Sequence, residues 1–229
     1  MARRRPLIPA PAPTSGRAGR AGRGRRAWAG GPAAQDHPLA AAGFLALLRG
    51  GGVQDAAAAE LVGGVVCRLP TLAASEAEAV VGLGSRLTLA LARLASAVGA
   101  GAEVRARPLV RLGEGDMLRP ELAVLAPAER RGAAPARAAG GYHHLGGAGA
   151  EPREVILAVE LARVGRHRLV SYARAGVKEV WLLDLERSWA EAYRAPWAGA
   201  FTSRTLWYPG EEVPLGGLPG LAAQALAFD

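Results

Sequence analysis

The clearest signal in the chain is an unbroken apolar run, Val155, Ile156, Leu157, Ala158 and Val159, that stops on a carboxylate, Glu160. A continuous run of this length reads as a strand covered on both faces. It predicts a strand over 153–160, a helix over 165–175 closed by Gly176, and a second buried strand over 179–185. Other patterns lie on either side. PLAAAGFLALLR (38–49) has the spacing of an amphipathic helix closed by Gly50, Gly51 and Gly52. ELVGGVVCRL (60–69) reads as a strand or hairpin arm turning at Gly63 and Gly64. Ser75 and Glu78 have capping-box spacing, and Leu83, Leu87, Leu91, Leu94 and Val98 then recur on one face of a long helix. Residues 103–112 and 118–127 alternate as two strands around the turn GEGD, with Pro108 favouring an edge or bulge. Residues 188–195 and 200–208 predict a hairpin turning at 196–199, and the segment from Pro209 onward at most a short helix. Helix, strand, long helix, strands, helix, strands is the order of an α/β or α+β fold, a mixed central sheet flanked by helices.

Composition changes this picture in one place. The net charge is +8, but residues 1–35 carry eight arginines and no acidic residue, which leaves 20 basic against 20 acidic residues from 36 onward. The excess therefore belongs to an Arg, Ala, Gly and Pro segment over 1–36, expected to be disordered because it has too little apolar surface to repay ordering. It reads as a solvated tail or as a nucleic-acid arm. Residues 37–229 make one domain of ordinary size, neutral overall and without a bulk electrostatic pull on nucleic acid. One cysteine, Cys67, excludes an internal disulfide and fits the cytoplasm. No apolar run reaches the length of a membrane span. Lys178 is the sole lysine among 28 basic side chains. Residues 127–152 read as a long surface loop, in which His143 and His144 lack the further ligands a metal site requires.

The candidate chemistry lies in the carboxylates. Glu160 ends its strand and Glu121 begins its own. Antiparallel pairing would bring both to one end of the sheet, where two like charges must take up a proton or a cation. Paired acids at a strand end hold hard divalent ions such as Mg²⁺, and such an ion activates water for phosphodiester hydrolysis. An arginine is the alternative partner for a buried carboxylate.

ELVGGVV, RPELAVL, VILAVEL and SYARAGVKEVWLLDL, in that order, resemble the Uma-two family of restriction-endonuclease-like proteins of the PD-(D/E)XK nuclease fold, over about residues 38–215. The resemblance implies a Mg²⁺-dependent endodeoxyribonuclease, a hydrolase with DNA as its partner and a homodimer as the form that cuts both strands. It places the metal ligands at Glu60, Glu121 and Glu160, and Arg168 where the family has its catalytic lysine. Glu121 stands for the family's aspartate, Ala162 occupies the usual lysine position of the fold, and the loop after Glu160 is shortened to LARVGRH. Arginine keeps the charge but is planar and permanently protonated, so the exchange alters the chemistry. Two functions follow: a metal-dependent nuclease with altered ligands, or a non-catalytic relative that binds nucleic acid or protein, with Arg168 or Arg163 paired to Glu160.

Overall fold

The computed structural model describes residues 38–98, 101–126, 149–216, 218 and 222–224. The tail expected over 1–36 and the histidine pair at 143–144 lie outside the described residues. The core is a six-stranded mixed sheet in the order β10-β9-β8-β7-β6-β3. Its strands are β3 (Glu103–Ala106), β6 (Leu122–Leu125), β7 (Val155–Leu161), β8 (Glu179–Asp184), β9 (Trp189–Trp197) and β10 (Ala200–Trp207). β7 and β8 are parallel and every other neighbouring pair is antiparallel. The parallel pair is joined by two helical segments, α3 (Ala162–Gly165) and α4 (Leu169–Ala175).

A second, four-stranded sheet is built from β1 (Ala59–Val62), β2 (Val65–Arg68), β4 (Val110–Arg111) and β5 (Met117–Leu118), in the order β2-β1-β5-β4. β1 and β2 form a hairpin turning at Gly63 and Gly64, both at positive φ as a two-residue turn demands. The helix α1 (Ala41–Arg49) packs Phe44, Leu45 and Leu48 on Leu61 and Met117 of this sheet.

The two faces of the large sheet carry separate cores. On one, the long helix α2 (Ala74–Val98) packs Val80, Leu83, Leu87 and Leu91 on Leu122, Leu157, Val159 and Trp181. On the other, Tyr172 and Ala173 of α4 and Val110 and Leu118 of the small sheet cover Ala123, Ala158 and Leu182. β7 is thus buried on both faces, as its continuous apolar run requires.

Five expectations are corrected. Each of the strands 103–112 and 118–127 is split, β3 and β6 joining the large sheet while β4 and β5 join the small one. The breaks fall at Arg107–Pro108 and at 119–121, because proline cannot donate to a ladder and Arg107 turns the chain with φ 46°. The helix expected over 165–175 begins at Leu169 and is preceded by α3, which starts directly after β7. Ser75 and Glu78 form no capping box: the helix starts at Ala74, so Glu76 is the residue whose Oε2 accepts from the Ala73 N–H at 2.8 Å. The hairpin turns on Ala198 and Gly199 with Pro196 inside β9, and the C-terminal segment forms a strand pair, β11 (Glu212–Pro214) with β12 (Ala222–Gln224), in place of a helix. Among the described residues no helix is long and apolar enough to cross a membrane.

Candidate carboxylate and arginine centre

β6 and β7 pair antiparallel with Leu122 opposite Val159. One further step of that register sets Glu121 across from Glu160, at the same sheet end. Glu60 reaches this end from the small sheet, on the strand β1 whose opposite face, Ala59 and Leu61, packs on α1. The three glutamates named from the sequence therefore occupy one neighbourhood, and all three are buried.

Each of them is met by a guanidinium. Arg168 sits just before α4 and is 7% exposed. Its Nη1 donates to both oxygens of Glu160, at 3.0 and 3.1 Å, and its Nη2 donates to Glu60 Oε1 at 2.5 Å. One arginine thus bridges two carboxylates from different sheets. Glu121 is held apart, its Oε2 accepting from Arg107 Nε at 2.8 Å. Arg163, the other candidate partner for Glu160, turns away: its Nε and Nη2 bind Glu76, and Nη2 also reaches the Thr71 carbonyl at 3.4 Å. Ala162 is buried at the start of α3 and offers no charge.

Three further residues complete the centre. Tyr172 donates its hydroxyl to Glu160 Oε1 at 2.7 Å. It lies one helical turn after Arg168, on the same face, so the 168/172 spacing carried a signal for it. Arg119 is almost fully buried and spends its guanidinium on backbone carbonyls, those of Ala59 and Arg107 at 2.9 Å and of Ala56 at 3.3 Å. Its own N–H approaches Glu60 Oε2 at 3.4 Å. Arg119 fixes the positions of β1 and of the 107 bend together. Nothing local in the sequence separates it from a surface arginine, because its partners lie 12 to 63 residues away. The third, Arg107, has the same history.

Burial dominates the electrostatics. Desolvation pushes the Glu160 carboxyl up to about 7, the nearby Arg168 charge and the Tyr172 hydroxyl only partly offsetting it. Glu60 is likewise raised by desolvation against the pull of Arg168. Desolvation also opposes the charge on Arg168, but Glu160 and Glu60 outweigh it and hold the guanidinium firmly protonated. Desolvation raises Tyr172 well above the ordinary tyrosine value, so it remains a hydroxyl donor. With its carboxylates ionised the centre balances: Glu60, Glu121 and Glu160 against Arg107, Arg119 and Arg168.

This donor set does not fit a divalent cation as it stands. The Arg168 fork lies between Glu60 and Glu160 and takes three of their four oxygens. Among the described residues no three His, Cys, Asp or Glu side chains are gathered as an ion would need. Adding a double positive charge to a balanced, buried centre would be costly unless Arg168 left it.

One feature of the backbone makes this close packing attainable. A Cβ at Gly165 would stand 2.5 Å from Glu160 Cβ and 2.5 Å from Leu182 Cδ2. Only glycine lets α3 lie against the end of β7 and set the Arg168 turn above Glu160.

No family model matches the chain, and no curated protein matches it. Among solved structures the chain is similar to a candidate nuclease belonging to DUF820 from Anabaena variabilis. The sequences are 14% identical, the TM-score is 0.57, and the likeness covers 82% of this chain and 96% of that one. The likeness establishes the fold, a mixed α+β architecture with a central mixed sheet flanked by helices, consistent with a nuclease-like fold.

Proposed function

We propose that this chain is a nuclease-fold protein that binds nucleic acid without hydrolysing it, its carboxylate centre closed by arginine. One observation carries the reading: the Arg168 guanidinium bridges Glu60 and Glu160 and engages three of the four oxygens that a cation between them would need. A buried guanidinium shared between two carboxylates by charge-assisted hydrogen bonds is a strong pairing. Lysine would present a single ammonium and could swing aside on its flexible stem. The arginine fork, fastened at three points, is a poorer candidate for release. A centre 1% exposed at Glu160 also gives a phosphodiester little room to approach. Nucleic acid is the partner that the fold and the Uma-two resemblance suggest. The guanidinia of Arg68, Arg107 and Arg163 near this end of the sheet suit a phosphate backbone.

The second reading is metal-dependent hydrolysis of DNA, with Glu60, Glu121 and Glu160 as Mg²⁺ ligands. It is favoured by the placement of these three buried residues at the same sheet end, although their carboxylates are not gathered around one point. In it Arg168 would have to leave Glu160, so that Glu60, Glu121 and Glu160 could hold an ion, whose chemistry would be polarisation of the phosphate and activation of water. Incubation of supercoiled plasmid with the full chain and Mg²⁺ or Mn²⁺ separates the two. The expected result is a retarded plasmid that stays intact. Metal-dependent nicking that disappears in Glu160→Gln would establish the hydrolase and overturn the closed centre.

A further inference from the structure

Beside the carboxylate centre a cavity of about 280 Å³ opens between the small sheet and the segment leading into α2. Arg68, Arg107, Thr71 and Asp55 supply its polar lining. Its volume lies just under the roughly 300 Å³ at which small-ligand sites begin, which is room for a small anion.

Arg107 is held in an unusual state. Its φ is 46°, a conformation that side chains other than glycine rarely adopt. Two backbone hydrogen bonds enforce it: the Arg107 N–H donates to the Glu121 carbonyl at 3.1 Å, and its carbonyl accepts from Arg119 Nη1 at 2.9 Å. The side chain gives Nε to Glu121, while Nη2 is shielded from solvent and has no hydrogen-bond partner among the described residues. A shielded guanidinium nitrogen without an acceptor is costly, and a turn of the side chain toward the cavity would let an anion there relieve that cost. Arg68, across the cavity, is tied among the described residues to Asp55, at 3.1 Å, with side chains 65% and 44% exposed. So exposed a pair contributes little, and Arg68 is free to exchange partners. Arg163 adds a third guanidinium at the rim, through its contact with the Thr71 carbonyl.

We propose that this cavity binds a phosphate group, with Arg107 as the fixed donor, Arg68 as the mobile one and the Thr71 hydroxyl as a neutral contact. The inference rests on the nucleic-acid reading for its source of phosphate: one phosphate of a bound strand, docked beside the closed centre. Phosphate accepts bidentate donors from planar guanidinium groups, so two arginines lining one small cavity suit it better than they suit a neutral ligand.

The test compares the full chain with Arg68→Gln, which breaks only an exposed pair, and Arg107→Gln, which also loosens Glu121. Fluorescence anisotropy measures binding of a labelled DNA duplex across a salt series, and thermal shift measures stabilisation by inorganic phosphate. For a phosphate contact, each substitution should lower the slope of log affinity against log salt by about 1, with affinity reduced alike for unrelated sequences. Phosphate should stabilise the wild type and lose its effect in both variants. Wild type that binds DNA, with Arg68→Gln showing the same slope and the same phosphate response, overturns the cavity and leaves the nucleic-acid reading standing. Wild type that ignores DNA, yet is stabilised by phosphate through Arg68, supports the cavity and overturns the nucleic-acid reading, identifying the ligand as a free phosphate compound. No response to either overturns both.

Discussion

Replacing Arg168 by methionine keeps an unbranched stem about as far as Nε and removes the charge that faces two buried carboxylates. Four hydrogen bonds are lost: one to the Arg119 carbonyl, two to Glu160 and one to Glu60, the carboxylates being 1% and 4% exposed. Breaking a buried pair from one side costs roughly 3–5 kcal/mol, because the other side is left charged and unpaired. The cost depends on pH in a definite direction. Arg168 is the largest influence lowering both Glu160 and Glu60, so its removal raises both further, Glu160 from a value already about 7. A carboxyl raised on folding binds more protons in the folded than in the unfolded state. Its contribution is fully present below the unfolded pKa, about 4.3, and is lost as pH rises through the folded value. Wild type completes that loss for Glu160 around pH 7, whereas the variant continues to lose stability above it. The gap between them should widen by about 1.4 kcal/mol per pH unit above about pH 7, the linkage of one retained proton. Urea unfolding followed by far-ultraviolet circular dichroism, at about pH 7 and 8.5, measures it. A second variant joining Arg168→Met to Glu160→Gln removes one orphaned charge and should be more stable than the single variant at the higher pH. A loss below about 1 kcal/mol that does not change with pH, or a double variant no better than the single one, would refute Arg168 as the counter-ion of this centre.

Two other predictions follow from the same packing and from the sequence. Gly165→Ala places a Cβ 2.5 Å from both Glu160 and Leu182, which overpacks the α3 junction. It should cost roughly 1–3 kcal/mol, read as a fall in thermal midpoint, and should also shift the pH dependence of stability because it displaces Glu160 from Arg168. Deletion of residues 1–36 removes eight arginines. If all of them contact phosphates, the log–log salt slope of DNA binding should drop by roughly 7, and an unchanged slope identifies the segment as a solvated extension.

The layout of the large sheet was legible because it follows from short-range patterns. β7 announced itself by five consecutive apolar residues and β8 by EVWLLD, and Gly176 marked the end of α4 by taking the left-handed conformation at φ 78°. The antiparallel meeting of Glu121 and Glu160 followed once β6 and β7 were strands with their acids at complementary ends. The split strands were not legible. Whether residues 103–112 continue as one strand or bend at Arg107 depends on the Arg119 guanidinium that holds the bend open from another element. The C-terminal strand pair had no local signal either, since its apolar residues Val213 and Leu215 are buried only against the core under α2.

By itself, then, the sequence determined that Glu160 must have a partner: a charge at the end of a doubly covered strand is intolerable alone, and that is a matter of local burial. It also confined the partner to a cation or an arginine. Only the tertiary structure decided which groups meet. Arg168 lies 8 residues from Glu160 but 108 from Glu60, and a fork that binds both exists only where β1 of one sheet is laid against the end of β7 in the other. Burial can be read along the chain because apolar spacing records it. The identity of a counter-ion cannot, because it is set by which distant strands share an edge.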